Sequence, residues 1–428
     1  MGSYPIAKVN TFVNLKSWYS SSHPFNRSIP LRVFSSMFQN KALIPIAIVV
    51  FVDLLGFSII LPLLPYYAST FHASDAMIGL LVASYSICQF IAAPILGGMS
   101  DRFGRRPLLI YSQFGSMMGF ILLGLAQSLP ILFLSRIIDG ISGGNLTIAQ
   151  AYIADVTEPK DRAGALAIIG IGFGLGFLMG PPIGGVLAQH FGFSAPAYAA
   201  AFFALCSTSL TTFYLKEHHH VRDENAKTGL RSYLRVFEYL RDETMRTLLL
   251  TFLFFALPFA LYVSMFSLFA KEELNFTAQQ VGFFLGFIGL LGVIWQGVII
   301  RPLVRKIGEV KCLRIGLISM VLGLLGLAFA RTIPGLVVIA VFFSFGTGIT
   351  RPSLSSLITQ VAPTKRKGGA LGVSASLESF SRSIAPILGG WLIGALHPNW
   401  IGYAGGAMAT VAVVLAFGVK RESQEVAS

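Results

Sequence analysis

Charge is scarce in this chain. Asp, Glu, Lys and Arg make up 12% of its 428 residues, where a soluble domain carries about 25%. A water-soluble protein of this length is excluded, because it would lack the charge to cover its surface. Cysteine is scarcer still. Cys88, Cys206 and Cys312 are the three present, in or beside apolar runs, and their spacing excludes a disulfide framework or a Cys-based metal centre. They read as small buried hydrophobes. Acids are outnumbered 19 to 32 by Lys and Arg, and residues 1–40 hold no Asp or Glu at all. No nucleophile–base arrangement occurs, which argues against an enzyme. The run His218-His219-His220 has no carboxylate or Cys spaced to complete a metal site and reads as solvated loop. Neither metal nor cofactor is expected.

What fills the chain instead is long apolar sequence. Hydrophobic residues make up 54% and the mean hydropathy is +0.71. A membrane-spanning helix needs about 20 mostly apolar residues. Twelve such runs are predicted, over 42–64, 76–98, 108–127, 130–154, 164–188, 195–215, 247–270, 278–300, 311–330, 334–360, 369–392 and 401–419. Lipid is therefore the solvent. The formal net charge of +13 would suit a nucleic-acid partner were it not for its distribution. Of the 32 Lys and Arg, 27 fall in the leader, the even-numbered loops or the tail, and Lys271 and Arg331 alone fall in odd-numbered loops. By the positive-inside rule both termini and the central loop are cytoplasmic. The membrane itself, plasma or organellar, is left open.

The organisation that follows is a leader at 1–40, a six-helix half at 41–215, a central loop at 216–246, a second half at 247–420 and a tail at 421–428. The leader suits either a targeting presequence or a flexible cytoplasmic tail drawn to anionic lipid. In the central loop Leu230, Leu234, Phe237 and Leu240 recur at helical spacing, which predicts an amphipathic helix on the inner membrane face. The halves repeat: a shift of about 205 residues lays Gly180-Pro181-Pro182-Ile183-Gly184-Gly185 on Ala385-Pro386-Ile387-Leu388-Gly389-Gly390. Six spans per unit makes this a parallel repeat, as in carriers that rock two halves about a midplane site.

Loop 2–3 reads Gly97-Gly98-Met99-Ser100-Asp101-Arg102-Phe103-Gly104-Arg105-Arg106-Pro107. Positive charge there serves orientation, but Asp101 adds nothing to that rule. The string resembles the cytoplasmic signature loop of the major facilitator superfamily. Helix 5, with Gly172, Gly174, Gly176, Gly180, Pro181, Pro182, Gly184 and Gly185, resembles that family's antiporter motif. Helix 1, with Asp53-Leu54-Leu55-Gly56 and Leu61-Pro62-Leu63-Leu64-Pro65, is similar to the drug/proton antiporters. With Ala151-Tyr152-Ile153-Ala154-Asp155, the pattern looks most like the tetracycline-resistance branch. The resemblance covers about 42–420. It implies an all-α membrane protein, twelve transmembrane helices in two pseudo-symmetric six-helix halves. It also implies that Asp101 meets the start of helix 11, where the helix dipole favours an anion, and that Arg105 pairs with Asp155 to latch an outward-facing state. Arg102, Gly104, Arg106, Arg162, Gly180, Pro181 and Gly184 complete the implied gating set. The second-half copy, Arg301-Pro302-Leu303-Val304-Arg305-Lys306-Ile307-Gly308, keeps the glycine and loses the acid.

Charge inside a span is costly and tends to be functional. Asp53, Arg136, Asp139, Arg351, Glu378 and Arg382 qualify. Arg136–Asp139 and Glu378–Arg382 sit three and four apart, so each pair shares a helix face. Glu378 is the first proton-coupling candidate, before Asp53 and Asp139, with Arg136, Arg351 and Arg382 as charge partners. Tyr85, Gln89, Asn145, Gln150, Tyr262, Trp295 and Gln296 are the cavity candidates. The expected protein is a monomeric proton-coupled antiporter that exports small amphipathic organic compounds. The alternatives are a metabolite or nutrient carrier working by uniport or symport, and a receptor that kept the fold without turnover. The predicted helix 9, residues 311–330, carries no acid, which speaks against tetracycline itself.

Overall fold

Apolar runs of this length have one way to satisfy their backbone in lipid, which is to bond within themselves as helices. In the computed structural model, which describes residues 43–158, 162–217, 239–362 and 367–419, twelve long helices form. They are α1 Leu43–Ser69, α2 Asp75–Phe103, α3 Arg105–Gly124, α4 Leu129–Asp155, α5 Arg162–Phe191 and α6 Ser194–Tyr214. The second set is α7 Glu243–Leu274, α8 Ala278–Ile307, α9 Glu309–Leu327, α10 Ile333–Val361, α11 Lys367–Ala395 and α12 Trp400–Gly418. The leader, most of the central loop with its histidine run, the side chain of Arg162 and the tail lie outside the described residues.

Ten of the twelve are long and apolar enough to cross a membrane on length and composition. The other two are α6 and α11. In α6 the hydroxyls are turned back onto the helix, with Thr208, Thr211 and Thr212 donating to the carbonyls four residues before them. This removes much of their polarity from the surroundings. Helix α11 carries Glu378 and Arg382, whose fate belongs to the site.

Packing follows the repeat. Helix α1 packs on α5 and α6, α3 on α4 and α6, and α2 on α4. In the second half α7 packs on α11 and α12, α9 on α10 and α12, and α8 on α10. The halves meet through α5 against α8 and α2 against α11. Close contact there depends on glycine. A Cβ on Gly79 would come within 3.0 Å of the Gly390 Cα, and one on Gly185 within 2.7 Å of the Ala278 carbonyl oxygen. These contacts lie toward the α1–α2 and α7–α8 turns. Nearer the other end, a Cβ added to Gly170, Gly297 or Gly372 would meet nothing within 4 Å. The halves are thus joined at one end and part toward the α2–α3 loop.

Three polar contacts close the joined end. Tyr66 Oη donates to the Phe276 carbonyl at 2.6 Å, Lys271 lies 6.0 Å from the centre of the Tyr66 ring, and the Glu272 carboxyl hydrogen-bonds Asp75. The last pair needs one proton between two acids.

Candidate functional site

The α2–α3 turn is built by Gly104, whose φ of +106° an L side chain rarely adopts. It swings the chain so that Arg105, almost wholly buried, points back into the half. Its guanidinium meets Asp155 at 2.9 Å, Asp101 at 2.5 Å and the Ser100 hydroxyl at 2.6 Å. The expected Arg105–Asp155 ion pair is therefore formed. Asp101 turns to Arg105 across the α2–α3 turn, while α2 meets α11 at the opposite, joined end. The first turn of α11 near Gly368 sits at the edge of the described residues. Arg106 holds the last turn of α6 by donating to the Thr212 carbonyl at 2.5 Å, and Arg102 lies over the Phe103 ring.

Glu217, just past α6, is a part of this gate the sequence did not reveal. Its two carboxylate oxygens accept from the backbone N–H of Arg105 and Arg106, each at 3.0 Å. A carboxylate on the free N–H groups at a helix start is favourable by hydrogen bonding and by dipole. Gly172, Gly176, Gly180 and Gly184 turn one stripe of α5 toward α1, while Pro181, Pro182 and Gly185 turn toward α8. Gly180 abuts the Ser58 hydroxyl, and a Cβ on Gly184 would be 2.5 Å from the Ile59 carbonyl oxygen.

A cavity that carries several polar groups opens on the first half. Asp53 and Phe57 of α1, Tyr85 and Gln89 of α2, Asp139 and Asn145 of α4, and Phe173 of α5 line it, with Arg382 of α11 facing them. Helix α4 is interrupted there: Ser142, Gly143 and Gly144 leave the helix. The Ser112 hydroxyl donates to the Ser142 carbonyl and accepts from the Gly144 N–H, so the freed backbone stays bonded. Asp53 accepts from the Gln113 amide at 3.2 Å. Arg136 and Asp139 are buried together at 3.1 Å. Gln89 donates to Tyr85 Oη at 2.9 Å and to the Gly143 carbonyl at 3.0 Å.

Glu378 is bound more tightly than its spacing to Arg382 implied. One carboxylate oxygen takes Arg382 and the other takes Arg351 of α10 at 2.6 Å. The cluster is two guanidiniums on one carboxylate. Of the remaining cavity candidates, Tyr262 belongs to the core instead, stacked on Phe343 with ring centres 3.9 Å apart and on Phe266 at 5.1 Å. Trp295 is tied to α10 by a 3.1 Å bond to the Ser344 hydroxyl. It opens a π-helical turn, Trp295–Ile299, in which Gln296 is exposed. Gln150 is exposed as well. None of these four is among the residues lining the cavity.

Two helical halves that repeat one packing scheme and grip each other at one end have the architecture of membrane carriers. Comparison with known proteins gives the family. The model of the Major Facilitator Superfamily matches residues 46–386 and again 297–428, and the chain belongs to that superfamily. It is a transporter of small molecules and not an enzyme. It is 31% identical over 378 residues to the class C tetracycline resistance protein of Escherichia coli, covering 86% of this chain and 93% of that one. It is 27% identical over 354 residues to multidrug resistance protein 2 of Bacillus subtilis (strain 168), covering 80% and 86%. Among solved structures, the human organic anion transporter MFSD10 superposes with a TM-score of 0.69 at 23% identity, covering 88% and 99%. A bacterial homologue of the human lysosomal transporter Spinster, inward-facing and occupied, superposes with 0.73 at 14%, covering 90% and 97%.

Proposed function

We propose that this chain is a proton-coupled antiporter that exports small amphipathic organic compounds. The observation that carries the reading is the placement of Asp53. It lines the same cavity as Arg382, and its carboxylate is held by the Gln113 amide and the Ser207 hydroxyl with no cation paired to it. A carboxylate so placed serves proton and substrate in turn, and competition for one group is the linkage antiport needs. Glu378 is a weaker carrier, because both of its oxygens are already taken by guanidiniums. Asp139 is closed by Arg136. The kinship with tetracycline and multidrug resistance proteins supports export.

In this reading the α2–α3 loop, the central loop and both termini face the cytoplasm, 41–215 and 247–420 rock as the two moving bodies, and one copy suffices. The test is the accumulation of a panel of fluorescent drugs in cells with and without the chain. Lower accumulation with the chain, restored by collapsing the proton gradient, is the expected result. Equal accumulation across the panel would count against export.

A further inference from the structure

The cavity is polarised between the first half, which supplies most of its lining, and Arg382 of the second. On the first-half wall stand acceptors: the Asp53 carboxylate and the Asn145 side-chain oxygen, which is buried and has no hydrogen-bond partner. From the second half a donor, Arg382, faces them. Arg351 and Arg382 share the single carboxylate of Glu378, so this cluster carries one positive charge in excess. Both guanidiniums remain partly open, with side-chain exposures of 46% and 33%, while Glu378 is down to 14%. The remaining pair, Arg136 with Asp139, cancels itself. Uncompensated charge at the middle of a membrane protein is expensive. The two walls carry opposite signs, and neither can reduce its cost by direct pairing while a cavity separates them.

We propose that the substrate is a small zwitterionic amphiphile, with its cationic group at Asp53 and Asn145 and its anionic group at Arg382. Such a molecule neutralises both walls at once. A cation alone leaves the arginine cluster in excess, and an anion alone meets Asp53 across the cavity. Phe57, Tyr85 and Phe173 line the same space and supply the apolar contact for the body of the molecule. This inference rests on the antiport reading in one respect: the cationic group of the substrate is the competitor of the proton at Asp53. Arg382 then selects the substrate without taking part in coupling.

Four probes on one scaffold test it: 2-naphthylalanine as zwitterion, 2-(2-naphthyl)ethylamine as cation, 3-(2-naphthyl)propionate as anion and 3-(2-naphthyl)propionamide as neutral control. Binding is measured to the purified full chain in lipid nanodiscs at neutral pH. Naphthylalanine is expected to bind about tenfold more tightly than either singly charged probe, the size of one charge-assisted contact. Arg382→Gln should erase its advantage over the amine, and Asp53→Asn its advantage over the propionate. Binding of the amide should not change in either variant, which also reports that both remain folded. A singly charged probe binding as tightly as naphthylalanine would overturn the inference. So would equal weakening of all four probes by both substitutions. The two readings fail separately. Proton-driven efflux of the amine with no preference for the zwitterion contradicts this inference alone. Preference for the zwitterion with no proton-driven efflux contradicts the antiport alone.

Discussion

Asp101, Arg105 and Asp155 form a chain of alternating charge in which the buried Arg105 bridges two acids. A guanidinium in that position holds the α2–α3 turn against α4 in this state. In the proposed carrier Asp101 makes a second contact, with the start of α11, when the halves close at the other end. Asp101→Asn is therefore expected to abolish transport while expression and substrate binding stay close to wild type, measured by efflux and equilibrium binding on the same preparation. Normal efflux would remove Asp101 from the gate. The motif was legible because its residues are close in sequence. The cavity charges were half legible. Arg136–Asp139 and Glu378–Arg382 follow from helical spacing, but Arg351 reaches Glu378 from another helix, and no local pattern announces that contact. Tyr262 shows the converse limit: an aromatic in an apolar helix looks the same in sequence whether it faces a cavity or stacks in the core.

Among the helices, the seam at the joined end sets how readily the carrier opens there. A side chain on Gly79 runs into the α11 backbone at Pro386 and Gly390. Gly79→Val should disfavour the joined state by about 1–3 kcal/mol, the usual cost of overpacking. Spin labels at Met77→Cys and Ala395→Cys, in a chain whose native cysteines are replaced by serine, would report a longer mean distance. An unchanged distance would mean that this contact does not limit closure. The Asp75–Glu272 pair adds a proton to the same seam. Alkaline pH on that side removes the shared proton and sets two carboxylates against each other, so it should lengthen the same distance. Glu272→Gln, which donates without a proton to lose, should make the distance independent of pH. A wild-type distance already insensitive to pH would show that the pair does not govern the seam. Nothing local in the sequence marks these two acids as neighbours, since they stand in different halves.

At the scale of the whole molecule, the repeat reaches further than the glycine–proline string that revealed it. Gly308 repeats the positive φ of Gly104, at +83°. Glu309 then stands where Arg105 does, and Gln360 where Asp155 does. Their contact is a 2.5 Å amide–carboxylate hydrogen bond, with Ser356 donating to the same carboxylate at 2.6 Å. The degenerate second copy thus keeps the latch with its polarity reversed and one charge removed, and shifts of 204 residues from Arg105 and 205 from Asp155 would have located it. Arg314, about one turn beyond the position equivalent to Arg106, makes an analogous anchor, donating to the carbonyls of Ala416, Phe417 and Val419 at the end of α12. Removing these charged contacts at a helix C-terminus in Arg314→Ala should cost about 1.5–3 kcal/mol and lower the thermal midpoint in detergent. An unchanged midpoint would make the contact incidental. The two halves therefore share their anchoring and differ in their charge. Asp53 of the first half and Arg382 of the second line the same cavity, and in the proposed carrier the coupling chemistry falls to Asp53.

The most direct test is to follow substrate efflux and proton influx together in proteoliposomes under an imposed pH gradient, for the wild type, Asp53→Asn and Glu378→Gln. The account predicts that the wild type moves protons inward as substrate leaves. Asp53→Asn should still bind substrate but carry no proton with its flux, and Glu378→Gln should keep the two fluxes linked. Linked fluxes in Asp53→Asn, or a wild type whose efflux draws no protons, would contradict it.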